Sequence, residues 1–130
     1  MRRTKTLTIE WKHLHKDGAT CVRCRDTGRT LAEVVGELKR ECKEIGVQVV
    51  FRETLLGTGR IRESNQILFN DVPLEDLLPG VVAGENMCRS CCDLLGQETF
   101  CRTIESGGKT YEAIPERLIR EAACRAAVCC

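Results

Sequence analysis

The stretch KTLTIEWKHLHKDGATCVRCRDTGRTLAEVVGELKRECKEIGVQVVF, residues 5–51, decides the fold. Its first ten residues alternate. Leu7, Ile9 and Trp11 point one way, and Thr6, Thr8 and Glu10 the other, which is the period of a half-buried strand. HKDGATCVRCRD is polar, contains Gly18 and reads as a loop carrying Cys21 and Cys24. A helix follows, capped by Asp26 or Thr27, whose side chains accept bonds from the first free amides. Leu31, Val34, Val35, Leu38, Cys42 and Ile45 share one helical face, and Gly46 stands where a left-handed cap ends it. VQVVFRETLL is the next strand, with Val47, Val49 and Phe51 on one side. A crossover of this length favours a parallel pair with a right-handed connection.

Outward from that unit, QILFNDVPLEDLL reads as a hairpin turning at Asn70-Asp71, residues that tolerate the positive φ of a tight turn. PLEDLL adds a short helical turn, and PGVVAGENMC is a loop. TFCRTIESGGKTYEAI forms a second hairpin around residues 106–108. Pro115 opens a final helix whose apolar face is Leu118, Ile119, Ala122, Ala123 and Ala126. No repeat of solenoid length is visible. The expectation is one domain over residues 1–130, with a cysteine-rich insertion at about 84–104 and a helix and cysteine tail at about 115–130.

Composition excludes several classes. The 42% apolar and 30% charged residues belong to an ordinary globular domain. A net charge of +1 and five aromatic residues argue against nucleic acid and anionic membranes as partners. No targeting segment and no run near the ~18 apolar residues of a membrane span appear. The expected compartment is the cytoplasm, where thiols stay reduced and clustered cysteines read as metal ligands or redox groups before bridges. No phosphate loop, nucleophile elbow or HExxH is present to suggest a hydrolase or transferase.

Ten cysteines therefore carry the chemistry. Cys21 and Cys24 form a C-x-x-C ahead of the helix, where nearby amides and the charges of Arg23 and Arg25 stabilise a thiolate. The helix signal begins a few residues further on, which weakens the dipole effect. Cys88 and Cys91 form a second C-x-x-C, and two such pairs make a four-thiolate set suited to zinc or iron–sulfur. The adjacent Cys91-Cys92 suits a trigonal site for mercury or arsenite, with Cys101 as third ligand, or a thiol pair for exchange. In exchange, one of Cys21 and Cys24 attacks as thiolate and its partner resolves the mixed disulfide, the N-terminal Cys21 being the expected attacker. The candidate metal ligands are thus Cys21, Cys24, Cys88, Cys91, Cys92 and Cys101, and the candidate catalytic pair is Cys21 and Cys24. The cofactor is zinc or another soft metal ion, and the partner a soft metal or metalloid ion or a protein thiol or disulfide. Cys129-Cys130 resembles the vicinal tails with which mercuric reductases pass a soft metal inward.

Plainer readings apply elsewhere. Cys42 and Cys124 are core residues, Trp11 is packing, His13 and His15 are surface histidines, and Glu10 and the helix arginines form solvated faces.

Strand, C-x-x-C loop, helix, strand, hairpin and final helix is the outline of an α/β thioredoxin-like domain, a central mixed sheet with flanking helices. TLTIEWKHL, TCVRCRDTGRTL, RESNQILFNDVPLEDLL, CRSCCDLLG and CRTIESGGKTYEAIPERLIREA also resemble the DUF2703 family of uncharacterised prokaryotic thioredoxin-like proteins. That resemblance implies architecture more than activity. Thioredoxins are expected to carry a cis-proline just before the third strand. Here Ser64-Asn65 occupies the matching place, and GTGRIRESN is short for a full second helix. Two readings stay open: a soft-metal or thiol-exchange protein, and a non-enzymatic interaction module clamped by structural zinc.

Overall fold

A computed structural model describes residues 5–127. The chain runs β1 (Lys5–Leu14), α1 (Val22–Lys43), β2 (Val47–Leu56), a 3-10 helix (Thr58–Glu63), β3 (Gln66–Phe69), β4 (Val72–Pro73) and α2 (Leu74–Leu77). It continues β5 (Val81–Met87), α3 (Arg89–Leu95), β6 (Phe100–Ser106), β7 (Lys109–Tyr111) and α4 (Glu116–Ala127). The strands form a mixed sheet ordered β2-β1-β3-β4 and a separate antiparallel sheet ordered β5-β6-β7. β1 pairs parallel with β2, Ile9 against Phe51, and antiparallel with β3, Ile9 against Phe69. The coarse α/β expectation holds, but the 79–88 segment is not a loop. Val81–Met87 pairs residue for residue with β6. Gly84 hides that strand in the sequence, and it sits where an added Cβ would lie 3.0 Å from the Thr103 hydroxyl.

The alternation read from β1 is real. Leu7, Ile9, Trp11 and His13 are buried, while Thr8, Glu10 and Lys12 are partly exposed. α1 and α4 pack against each other and against β1. Leu31, Val34, Val35 and Leu38 meet Leu118, Ile119, Ala122 and Ala123 in the same core, and Cys42 is buried among them as expected. Cys124 is half-buried on α4. Thr6, Gln48, Val50 and Arg52 lie on the opposite, exposed side of the sheet.

Three local expectations change. α1 begins at Val22 with Cys21 as its cap residue, one turn before Asp26 and Thr27. The sequence signal for a cap is a side chain that bonds its own helix, and Cys21 makes no such bond. The Val22 amide is instead met by the Ser90 hydroxyl at 3.0 Å, from far along the chain. Ile45 falls beyond the helix and is 53% exposed. His13 is buried, stacked on Trp11 with centroids 3.8 Å apart, and its Nε2 lies 2.6 Å from Glu53. The Asn70-Asp71 turn, with φ of 51° and 68°, matches its expectation, as does the 3-10 segment in place of a second helix.

A buried polar chain binds the layers. Trp11 Nε1 donates to Asn65 Oδ1 at 3.2 Å, Asn65 Nδ2 donates to Thr27 Oγ1 at 3.0 Å, and the Ile114 amide donates to the same hydroxyl at 3.1 Å. Trp11 is thereby fixed under Gly28, where an added Cβ would lie 2.5 Å from the ring. Gly28→Ala should therefore lose about 1–3 kcal/mol by overpacking, although alanine is the better helix former. Urea denaturation checks this, and an unchanged or raised midpoint contradicts it.

Candidate metal centre

Four cysteines from separate places in the fold converge. Cys21 is the cap residue of α1, Cys88 the cap residue of α3, Cys91 lies in the first turn of α3, and Cys101 is on β6. Their sulfurs all lie within 4.8 Å of one another. None of the four is more than 3% exposed. The Cys88 amide donates to Thr99 O at 2.9 Å, joining the ends of β5 and β6, and the Cys92 amide closes the first turn of α3 on Cys88 O. Cap and third helical position then face the same way, which brings Cys88 and Cys91 together. Gly96, left-handed at φ 70°, ends the helix.

The remaining two candidates stand outside this set. Cys24 is buried and its sulfur lies 3.2 Å from the Ser64 hydroxyl, which also accepts the Leu14 amide. Cys92 is half-buried and its sulfur accepts the Thr99 amide at 3.2 Å. Cys129 and Cys130 lie outside the described residues.

Arg23 is expected as loop charge beside the thiols, and its side chain is 7% exposed. Nη2 donates to Met87 O at 2.9 Å and Nη1 to Cys101 O at 3.4 Å, and Glu112 lies 2.5 Å away. One guanidinium thus pins the ends of both strands that carry Cys88 and Cys101. Nothing local in the sequence marks this, since arginine on a charged helix ordinarily points to water. Lys16 adds a second tie, donating to Leu94 O in α3 at 3.2 Å.

The protons in the cluster are unevenly held. Cys21 lies far below the ordinary thiol range, because the thiols of Cys101, Cys24 and Cys91 bond to its sulfur and outweigh burial. Cys91 is pushed up by its bond to Cys101, 3.0 Å away, and by that to Cys21. Cys101 is pushed up by bonding to Cys21, and Cys24 by its bond to Cys21 and then by burial. The neighbouring thiols thus favour the thiolate form of Cys21. A divalent ion replaces those protons with one central charge. Tetrahedral zinc–sulfur bonds of ~2.3 Å place sulfurs ~3.8 Å apart, inside the observed limit, so the four residues fit such an ion.

A family profile described as "Domain of unknown function (DUF2703)" matches residues 7–123. An uncharacterised protein of Archaeoglobus fulgidus is 34% identical over 117 residues, covering 87% of this chain and 82% of its own length. No solved structure matches. No described helix is long and apolar enough to cross a membrane.

The proton inventory sets a pH dependence for metal-free protein. Groups whose folded pKa is raised stabilise the fold below their unfolded value near 8.5 and lose that contribution as pH rises. Cys24, Cys91 and Cys101 are of this kind. Cys21, whose pKa is depressed, gains as pH rises toward 8.5 and holds that contribution unchanged above it. Net stability should fall from pH 8 to 10, at about 1.4 kcal/mol per pH unit for each net proton. Urea midpoints of chelator-treated protein check this, and a midpoint that rises over that range contradicts it.

Arg23→Gln should cost about 1–3 kcal/mol by stranding the carbonyls of Met87 and Cys101. A substitution without effect on the urea midpoint contradicts the pinning role.

Proposed function

The chain belongs to the DUF2703 family, and within it we propose that this member holds one soft divalent metal ion, zinc by preference, at Cys21, Cys88, Cys91 and Cys101. The observation that carries the reading is the convergence of four buried sulfurs within 4.8 Å. Thiolates favour soft ions, and four protein thiolates with no open position suit a structural site rather than a catalytic one. Bound there, the ion supplies a fourfold cross-link and no redox chemistry. The chain's own residues do the rest. Cys21 brings the start of α1, Cys88 and Cys91 bring α3, Cys101 brings β6, and Arg23 holds the strand ends in register.

The scaffold we assign is thioredoxin-like. The order β2-β1-β3-β4, with only β3 antiparallel to its neighbours, supports this, as does a C-x-x-C at the start of the first helix. A reducing compartment such as the cytoplasm fits thiols kept for a metal.

Thiol–disulfide exchange is the second reading, favoured by the Cys21–Cys24 pair and the depressed pKa of Cys21. In it Cys21 attacks and Cys24 resolves. Burial weighs against it, since Cys21 is 0% and Cys24 1% exposed, and a protein disulfide reaches neither without local opening.

Anaerobic purification with metal analysis and a thiol count separates the two. The metal reading expects about one ion per chain surviving dialysis and four masked thiols. Cys21→Ser or Cys101→Ser should lose the ion or weaken it by more than about tenfold, while Cys24→Ser and Cys92→Ser keep it. Metal-free protein with a fast-reacting Cys21/Cys24 pair supports exchange instead.

A further inference from the structure

Beside Cys88 lies an open cavity of about 410 Å³. Of the four, Cys88 alone lines it. Its rim carries two exposed apolar side chains, Val22 at 45% and Met87 at 57%. Arg89, the first residue of α3, stands beside Cys88, and Asp26 and Glu112 also line the cavity. Both signs of charge and an apolar rim therefore lie beside one of the four cysteines, which is itself 2% exposed.

A buried four-sulfur site must be loaded through some point of contact with solvent. In a thiol-rich, reducing solution a soft ion travels as a thiolate complex rather than as the bare ion. Ligand exchange at zinc proceeds by expansion to five-coordination, so the first protein sulfur to touch the carrier is the first to bind. We propose that this cavity is the loading port of the centre, and that it takes a soft metal ion carried by a small thiol bearing both carboxylate and ammonium groups. Arg89 receives the carboxylate, Asp26 faces the ammonium while Glu112 stays paired with Arg23, and Val22 and Met87 pack against the carbon chain. Cys88 gives its proton to the leaving carrier sulfur as the Cys88–metal bond forms and the carrier–metal bond breaks. No electron changes hands. Cys91 and Cys101 then displace carrier thiols in the same way, and Cys21, already a thiolate, displaces the last one, whose sulfur takes its proton from water.

The proposal rests on the metal reading and adds a route and a carrier to it. Cadmium, given either as its glutathione complex or as the aquo ion, is mixed rapidly with metal-free protein, and cadmium–thiolate absorption is followed in time. Arg89→Glu should slow loading from the glutathione complex by about fivefold or more, through lost steering, and leave loading from the aquo ion undiminished. Val22→Trp, which plugs the rim, should slow both. Both variants should still bind one cadmium at equilibrium, because neither residue supplies a ligand. Wild-type rates in both variants with stoichiometry intact overturn the port alone. A wild-type chain that takes up no cadmium at equilibrium overturns the metal reading and the port with it.

Discussion

The junction of the two sheets depends on the start of α1. There the Val22 amide has no acceptor from its own helix and takes the Ser90 hydroxyl of α3 instead. One residue earlier, Cys21 places its sulfur among Cys88, Cys91 and Cys101. One residue later, Arg23 reaches the carbonyls of Met87 and Cys101. Three consecutive residues thus hold the second sheet through a hydrogen bond, a sulfur cluster and a buried cation. The carbonyl ends of β5 and β6 would otherwise need water, which the burial of Cys88 and Cys101 keeps out. A cluster of four thiols sharing protons is a weak adhesive by itself. Structural zinc sites in small peptides are worth about 10–16 kcal/mol in apparent terms, so the same four residues become the strongest tie in the molecule once a metal replaces the protons.

Periodic elements were legible in the sequence because their signals are local. β1 alternates and buries Leu7, Ile9 and Trp11 as it should, and α1 shows its core face from Leu31 to Cys42. The Asn70-Asp71 turn followed from side chains that tolerate positive φ. What failed locally failed for non-local reasons. The start of α1 was placed at Asp26 or Thr27 because those side chains can cap. Thr27 is instead buried, holding Asn65 and Ile114. β5 read as a loop because Gly84 and Pro79-Gly80 carry turn signals, and its pairing with β6 is visible only when both strands are present.

The site was legible as a set of cysteines but not as a geometry. Neighbouring residues on a helix diverge by ~100°, so of Cys91 and Cys92 only one faces the cluster, and spacing does not say which. Register decides it: Cys91 joins Cys88 across one turn, and Cys92 turns to the Thr99 amide. Arg23 gave no signal of its role, since its acceptors are carbonyls 64 and 78 residues away in sequence. His13 was likewise read as a surface residue, because its burial comes from a stack on Trp11 and a carboxylate contributed by β2.

Cys24 is the instructive exclusion. A C-x-x-C on a helix start ordinarily offers both sulfurs to one ion, and Cys24 is as buried as the four that converge. The Ser64 hydroxyl beside its sulfur is fixed by the Leu14 amide. Ser64 stands just before β3, so the second cysteine of the pair is engaged by the segment that leads into that strand. The fourth sulfur of the set comes instead from Cys101, on the other sheet. A site completed by Cys24 would have left β6 unattached. With Cys101 in its place, each of the three elements α1, α3 and β6 contributes at least one sulfur. A four-sulfur metal site could then form only when both sheets are in position, and metal binding and docking would become one equilibrium.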